Sequence, residues 1–299
     1  MRRCSSFRVV VGLLLALVEP AFAFTARDML GRTISLPAPP SRIVSLVPSA
    51  TEIIFALDGD DRLVGVTDFC DWPPAARAKP HVGGMINPSL EAIVALRPDL
   101  VLVTDEGTPE DVGRHLQRVG IPTFALHGRR LVDVFEAIRL LGALTGRQSA
   151  AEPMIADMTA RMNRVRDAVR AYPVTTVLYV VWPEPLIVPG RDGIVTEFIT
   201  LAGGRSVTAD MPGAYPQMSL EAAVARDPQV IILADPAGEG SAAGHQALQQ
   251  WRRLTSVPAI KRGRLYSLDL STLHRYGPRI PLGLETLARV IHPEAFASR

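Results

Sequence analysis

The sequence predicts an α/β protein with two similar lobes, each with a parallel sheet, joined by a single long rigid interdomain helix. Three observations predict it. A helix–strand unit occurs twice, strands alternate with helices in both halves, and a long amphipathic segment lies between the halves. Alternating strands and helices are typical of parallel sheets flanked by helices.

The repeated unit occupies Ser89–Asp105 and Ser219–Asp235, which match without a gap at eight of seventeen positions. In each copy a serine can cap the first turn of a short helix by accepting a backbone N–H. A proline then ends the helix, and an apolar run follows that predicts a buried strand. Copies 130 residues apart are too far apart for a solenoid, whose repeats span about 20–50 residues. The repeat therefore indicates one lobe per half of the chain.

The first 23 residues are typical of a cleaved export signal: a basic start, an apolar run at Val9–Val18 and a small-residue cleavage site at Ala21–Ala23. The expected location is the periplasm. Cleavage removes three arginines and one glutamate from 32 basic and 30 acidic residues, so the net charge falls from +2 to zero. A neutral chain gives no reason to expect a nucleic-acid partner. Cys70 is then the one remaining cysteine, which leaves no internal disulfide.

The N-terminal lobe is expected to span residues 24–148. Phe24–Pro40 is interpreted as an extended lead-in, and Ile43–Val47 as the first buried strand. Ser49 and Glu52 have the spacing of a capping box at the start of the next helix. The long loop Thr67–Gly84 is rich in proline and aromatic residues, and loops of this length are usually functional or disordered. Further elements are expected at Leu63–Val66, Glu110–Val119, Thr123–Leu126 and Leu131–Leu144.

Residues 149–172 predict the interdomain helix, because apolar residues recur at spacings of three and four along this segment. They are Ile155, Met158, Met162, Val165 and Val169. A helix packed on both lobes is stiff, so only slight hinging is expected. The C-terminal lobe is expected at residues 173–299, with elements at Thr176–Val181, Leu186–Val188, Ile194–Leu201, His245–Leu254, Arg264–Leu268 and Pro278–Ile291.

Motifs for several common chemistries are absent from the sequence. It has no glycine-rich phosphate loop after a strand, no HExxH, no paired CxxC and no GxSxG. No two histidines have metal-ligand spacing. We therefore expect neither an enzyme nor a resident metal or cofactor.

Aromatic and basic residues instead cluster in loops that follow predicted strands, where ligands bind in open parallel sheets. Flat aromatic faces and an arginine suit a large, flat, partly apolar ligand with peripheral acid or amide groups. Trp72 could alternatively plug the edge of its lobe, and His274 could be a hydrogen-bonded loop histidine. The predicted ligand-binding residues are Phe69, Trp72, Met85, Trp182, Tyr215, His274 and Arg275.

Five motifs in order resemble the helical-backbone (class III) periplasmic substrate-binding proteins of ABC importers, whose ligands are cobalamin, ferric siderophores or haem. The motifs are RIVSLVPSATEI at Arg42–Ile53, VGVTDFCDWPP at Val64–Pro74, SLEAIVALRPDLVLV at Ser89–Val103, YPQMSLEAAVARDPQVIIL at Tyr215–Leu233 and GPRI at Gly277–Ile280. The resemblance implies Rossmann-like lobes and a rigid interdomain helix.

Within this class the sequence is most similar to the cobalamin-binding members. The resemblance puts Phe69 where they have a ligand-stacking tyrosine, Tyr215 where they have a tryptophan, and Arg275 where they have a ligand-contacting arginine. The sequence departs from the pattern at three positions: Met85, Ser271 and His274 replace a tryptophan, an aspartate and a glutamate.

The resemblance also implies that Glu91 and Glu221, one per lobe, dock onto arginines of a membrane permease that works with an ATPase. A simpler interpretation is that each glutamate complements a helix dipole, worth about 0.3–1 kcal/mol. Both can hold together. A shuttle that docks through both lobes is expected to be a monomer.

The expected function is capture of a metal chelate, with cobalamin as the first choice. A ferric-siderophore or haem receptor is the alternative. For haem, Tyr215, Tyr276 or His274 would be the candidate iron ligands. An exported α/β enzyme that uses the same cleft is the rival from another class.

Overall fold

The structure is a computed structural model that describes residues 24–235 and 242–297. The predicted export signal lies outside the described residues. In order, the first half contains β1 (Phe24–Arg27), β2 (Thr33–Leu36), β3 (Ile43–Ser45), α1 (Pro48–Ala56), β4 (Leu63–Val66), α2 (Leu90–Ala95), β5 (Leu100–Thr104), α3 (Glu110–Arg118), β6 (Thr123–Leu126) and α4 (Leu131–Thr145). Short 3-10 turns lie at Asp60–Arg62 and Pro74–Ala78.

The second half begins with α5 (Gln148–Val169). After it come β7 (Thr175–Val180), β8 (Trp182–Pro183), β9 (Leu186–Ile187), α6 (Ile194–Leu201), β10 (Gly204–Ser206), α7 (Leu220–Val224), β11 (Val230–Ala234), α8 (Ala242–Arg252), α9 (Pro258–Lys261), β12 (Leu265–Leu268), α10 (Ser271–His274), α11 (Ile280–Ile291) and α12 (Pro293–Phe296).

Two four-stranded parallel sheets form the centres of the two halves. The first has the order β4-β3-β5-β6 and the second β10-β7-β11-β12. In both sheets the second strand lies on one side of the first, while the third and fourth lie on the other. The predicted α/β class with parallel sheets is confirmed, and the shared strand order shows that the halves repeat one topology.

The repeated sequence unit folds alike in both halves. Ser89 Oγ accepts a hydrogen bond from Ala92 N at 3.2 Å, and Ser219 Oγ accepts one from Ala222 N at 3.1 Å. Both predicted serine caps are therefore confirmed. The helices also end alike, since the residue before each proline has a left-handed backbone: Arg97 with φ 46° and Asp227 with φ 47°.

Helix α5 begins one residue before the predicted start of the interdomain helix and ends three residues before its predicted end. Its buried residues include all five of the predicted stripe. They belong to one hydrophobic core with residues of both sheets, such as Phe124 of β6 and Val177 of β7. The helix packs on α4 from the first half and on α11 from the second. The lobe limits 24–148 and 173–299 stay predictions.

Two local expectations are wrong. The lead-in is not merely extended, because β1 and β2 pair as an antiparallel hairpin whose buried residues Ile34 and Leu36 join the core. Ser49 and Glu52 form no capping box: α1 begins at Pro48 without a side-chain cap, and Glu52 is buried. Within residues 24–235 and 242–297, no helix combines the length and apolar character needed to cross a bilayer.

Removing either serine cap should destabilise the fold, because the first turn of the helix loses a partner for a backbone N–H. Ser89→Ala and Ser219→Ala should each lower the free energy of unfolding by about 1 kcal/mol, measured by urea denaturation. Ser89→Asp and Ser219→Asp retain a hydrogen-bond acceptor and should keep most of the original free energy of unfolding. Equal losses in the alanine and aspartate variants would contradict the capping role.

Candidate ligand-binding cleft

The predicted ligand-binding residues lie mostly at one edge of each sheet, beyond the carboxyl ends of the strands. Phe69 follows β4, and Trp182 starts just beyond β7. Tyr215 lies in the loop between β10 and α7, whereas His274 and Arg275 lie beyond β12. This is the edge at which open parallel sheets bind ligands.

Direct contacts bring this edge of one half against that of the other. The ring of Tyr276 packs so closely on Gly128, in the loop after β6, that a Cβ on Gly128 would lie 2.8 Å from Tyr276 Cδ2. The hydroxyls of Tyr215 and Tyr276 are hydrogen-bonded to each other. The backbone N–H of Leu131 donates to Glu197 Oε2 at 3.0 Å, which adds a second contact between the halves.

Phe69 lies beside the backbone that leads into Met85, and Met85 lies beside the loop after β5. A Cβ on Gly84 would lie 3.7 Å from Phe69 Cε2, and a Cβ on Gly107 would lie 3.2 Å from Met85 Cε. Met85 is also the counterpart of Tyr215 in the repeat, since each follows by two residues a glycine in the left-handed region. These glycines are Gly83 with φ 90° and Gly213 with φ 88°. The two lobes therefore present Met85 and Tyr215 from equivalent loops.

Arg275 is engaged by the protein itself. Its guanidinium forms a two-pronged ion pair with Asp71 and donates from Nη1 to the carbonyl oxygen of Phe69 at 3.1 Å. It also lies 3.8 Å from the buried carboxylate of Glu52. Arg275 is thus brought to Phe69, but its positive charge is already neutralised.

The two predicted tryptophans differ in their surroundings. Trp72 is 43% exposed and is covered by the guanidinium of Arg279, whose Cζ lies 4.6 Å from the ring centroid. Trp182 is 48% exposed, and its indole N–H donates to Glu184 O within the β8–β9 hairpin. That hairpin borders the loop of Tyr215, because Val188 N donates to Pro216 O at 3.1 Å. No hydrogen bond or ring contact of the described chain joins Trp182 to the other six candidates.

His274 is turned toward the interior, where its Nε2 lies 2.7 Å from the hydroxyl of Tyr179. Tyr179 is a fully buried residue of β7. Burial lowers the pKa of His274 to about 4, an effect that Asp269 only partly opposes. At neutral pH the ring is uncharged, so its Nε2 accepts the hydrogen bond that the phenol donates. This arrangement matches the alternative of a hydrogen-bonded loop histidine.

The centre of the cleft favours uncharged groups. Burial raises the pKa of Tyr215, although its hydrogen bond with Tyr276 opposes the shift, and burial followed by Tyr215 raises the pKa of Tyr276. Nearby Glu106 raises both pKa values further. The pKa of Glu106 is itself raised, chiefly by burial and secondly by Asp105, although Arg129 opposes the shift. Within the described residues, no three histidine, cysteine, aspartate or glutamate side chains are placed to hold a metal ion.

The two predicted docking residues, Glu91 and Glu221, lie in the first turns of α2 and α7 and are exposed. Each has an exposed apolar neighbour, Val94 on α2 and Leu220 on α7. Hydrogen bonds from its own backbone N–H and from the Ser219 hydroxyl lower the pKa of Glu221. Neither carboxylate forms an ion pair within the described chain, so both are available to an outside partner.

Sequence reasoning missed several residues of this site. Glu52, Asp71, Glu106 and Arg279 are all charged, and the sequence gives no sign of which charges pair across the cleft. Glu106 could have been found, because it lies two residues beyond β5 at the same sheet edge as Phe69. Glu52 was interpreted from its spacing as part of a capping box, whereas its ion-pair partner, Arg279, lies 227 residues away.

A groove of about 1150 Å³ lies between β2, α3 and the edge strand β6. Its lining comes from one half of the chain and includes none of the nine predicted binding and docking residues. The cleft between the sheets therefore remains the candidate site.

A protein-family model described as periplasmic binding protein matches residues 43–272. An uncharacterized ABC transporter substrate-binding lipoprotein of Bacillus subtilis is 28% identical, with 92% of this chain and 87% of the relative covered. A vitamin B12-binding protein of Vibrio cholerae is 27% identical over 89% of this chain and 93% of that protein. The crystal structure of a periplasmic heme-binding protein from Pseudomonas aeruginosa is 31% identical, with a TM-score of 0.76, and the match covers 85% of this chain and 93% of that protein.

Acid should weaken the fold through His274. The pKa of this residue is near 4 in the folded state and near 6.5 in the unfolded state, so unfolding takes up a proton between these values and stability falls as pH drops through this window. The free energy of unfolding should decrease by roughly 2 kcal/mol between pH 7 and pH 4.5 through this residue. His274→Gln retains an acceptor but cannot titrate, and urea denaturation should show a flatter profile for it. The same slope in both proteins would assign the acid sensitivity to other groups.

Proposed function

Because this chain belongs to the periplasmic binding protein family, we propose that it captures a metal chelate outside the cytoplasm and delivers it to an ABC importer. Cobalamin is the first choice of ligand. The importer would comprise a permease and an ATPase, and the receptor would act as a monomer that binds without chemical turnover. The B. subtilis relative, described as an ABC transporter substrate-binding lipoprotein, supports an extracytoplasmic substrate-binding role, and the V. cholerae relative, described as a vitamin B12-binding protein, supports the choice of ligand.

The observation that carries the proposal is the gathering of exposed aromatic side chains where the carboxyl edges of the two sheets meet. Phe69, Trp72, Trp182 and Tyr215 are 40–55% exposed, although large apolar side chains are normally buried. Direct contacts between Tyr276 and Gly128 set the width of the opening at one side. Exposed rings on both walls suit a ligand with two broad faces, such as a corrin or a porphyrin.

The electrostatics of the cleft favour cobalamin over haem. The rim of a corrin carries neutral amides, whereas a porphyrin such as haem carries two carboxylates. Arg275, which could bind a carboxylate, is already paired with Asp71, and Glu106 adds negative charge beside the tyrosines. An anionic ligand would have to displace Asp71, while an amide can hydrogen-bond to the tyrosine hydroxyls without displacing a charge.

Haem is the second candidate, because tyrosine can ligate ferric iron. Tyr215 is 40% exposed and its hydroxyl has a hydrogen-bond partner in Tyr276. Against this, burial raises the pKa of both phenols, whereas an iron ligand has to lose its proton. His274 is a poorer iron ligand still, since Tyr179 occupies its Nε2. A ferric-siderophore receptor remains an alternative in the same cleft, and an exported enzyme is the least supported.

Docking through Glu91 and Glu221 is proposed because the repeat places the two carboxylates at equivalent positions. Each lies in the first turn of a serine-capped helix, exposed and beside an exposed apolar residue. Charge complementarity beside a small apolar contact is the usual composition of a specific interface. Two such patches would fit a transporter with two similar subunits.

Spectral titration of the purified chain should detect cobalamin binding. Cyanocobalamin, haemin and a ferric hydroxamate siderophore are titrated separately, and cyanocobalamin should bind tightest. Phe69→Ala removes a stacking ring and should weaken cyanocobalamin binding about tenfold, which corresponds to ~1.4 kcal/mol. Tyr215→Phe keeps the ring and should change the affinity less than about threefold.

Val174→Ala is the matched control, because Val174 is 66% exposed and lies outside the cleft. It should leave all affinities unchanged. Tight haemin binding that Tyr215→Phe abolishes, together with absent cobalamin binding, would establish haem as the ligand. Turnover of another compound without chelate binding would refute the receptor proposal.

Reversing the two docking charges should abolish delivery but spare capture. Glu91→Arg and Glu221→Arg should each reduce cobalamin uptake into cells or proteoliposomes with the cognate importer by at least about tenfold, since repulsion at one patch costs more than ~1.4 kcal/mol. Cyanocobalamin affinity in solution should stay within about twofold of the original chain.

Glu110→Arg provides the control for a pure helix-dipole effect, because Glu110 is also an exposed acidic residue in the first turn of a helix, α3. It should lower stability slightly and leave uptake unchanged. Normal uptake by the Glu91 and Glu221 variants would remove the docking claim, even if cobalamin capture is established.

A further inference from the structure

Three of the sequence motifs meet around one buried carboxylate. Glu52, from the motif at Arg42–Ile53, has a side chain that is 2% exposed. Arg279, from GPRI, donates to it from Nε at 2.9 Å and from Nη2 at 2.6 Å. This is a two-pronged ion pair that joins α1 of the first half to the start of α11 in the second.

The flat face of the Arg279 guanidinium contacts Trp72, one of the predicted ligand-binding residues. Arg279 Cζ lies 4.6 Å from the ring centroid of Trp72, so the guanidinium covers part of the indole, and Trp72 remains 43% exposed. A planar guanidinium can bind a carboxylate along its edge and stack an aromatic ring on its face at once. A lysine could neutralise Glu52, but it could not hold the ring in this way.

The residues before Trp72 are held by three further contacts. Arg275 binds Asp71 and donates to Phe69 O at 3.1 Å. Beneath them, Cys70 Sγ lies 3.2 Å from Thr51 Oγ1. The segment Phe69–Trp72 of the first half is therefore fixed by two arginines of the second.

We propose that Arg279 is a positioning residue for ligand binding: anchored by Glu52, it holds the ring of Trp72 in the orientation that the ligand requires. The inference rests on the proposed function. It assigns to the GPRI motif a role beyond lobe packing. Fixing a ring before the ligand arrives removes the entropy loss of ordering it during binding, which raises affinity.

Arg279→Lys is the test, because lysine retains the charge but loses the fork and the flat face. Affinity for cyanocobalamin should fall about five- to tenfold. In a Trp72→Leu background the same change should have almost no further effect, since the ring through which it acts is gone. Equal losses in both backgrounds would show that Arg279 acts on the fold alone and would overturn the proposal.

Arg289→Lys is the matched control. Arg289 also pairs with a glutamate, Glu285 at 2.7 Å, and stacks over a ring, Phe296 at 4.7 Å, but on α11 and α12 outside the cleft. It should leave the affinity for cyanocobalamin unchanged. A loss comparable to that of Arg279→Lys would overturn the assignment.

A second measurement needs no ligand. The chain has three tryptophans, so labelling with 5-fluorotryptophan gives three fluorine resonances, and Trp72→Leu identifies one of them. In Arg279→Lys the resonance of Trp72 should shift or broaden while those of Trp182 and Trp251 stay in place. An unmoved Trp72 resonance would overturn the proposal. Absence of chelate binding by the original chain would refute the proposed function instead, and the fluorine spectra would still decide whether Arg279 positions Trp72.

Discussion

The pairing of Glu52 with Arg279 and Arg275 is the constraint on which the arrangement of the cleft depends. A carboxylate that is 2% exposed needs positive partners, because an unpaired buried ion costs several kcal/mol. Both partners come from the last part of the chain. The segment after β12 therefore has to return against α1, and Gly277 permits this approach, since a Cβ there would lie 3.3 Å from Glu52 Oε2. The same return brings Tyr276 onto Gly128 and Arg275 beside Phe69.

The Glu52 ion pairs matter for the cleft because the two halves that they join are similar. The sheets share one strand order, and the repeated loops share a left-handed glycine, Gly83 in one half and Gly213 in the other. Each loop then delivers a side chain to the same edge, Met85 from the first half and Tyr215 from the second. The repeat supplies two comparable walls, whereas the charged cluster, which has no counterpart within the repeated unit, fixes how the walls face each other.

The sequence was sufficient for the features that local patterns encode. The strand bounds of β4 and β6 and the caps at Ser89 and Ser219 were predicted because apolar runs, prolines and serines act on their neighbours in the chain. The partners of charged residues could not be predicted, because ion pairs such as Glu52 with Arg279 depend on contacts between distant segments. Arg275 lies beyond the last strand, as the sequence predicted, but its pairing with Asp71 could not be foreseen because that contact joins distant segments.

The proposed preference for a neutral ligand surface follows from the pairing of the charged residues in the cleft. Each arginine at the opening already has a carboxylate, so Glu52 and Asp71 balance Arg275 and Arg279. Nearby, burial and then the charge of Asp105 raise the pKa of Glu106, so a further negative charge is unfavourable there. What remains for a ligand is the exposed faces of aromatic rings and the hydroxyls of Tyr215 and Tyr276. Those groups support the proposal that the ligand is a broad ring with amides, not carboxylates, at its rim.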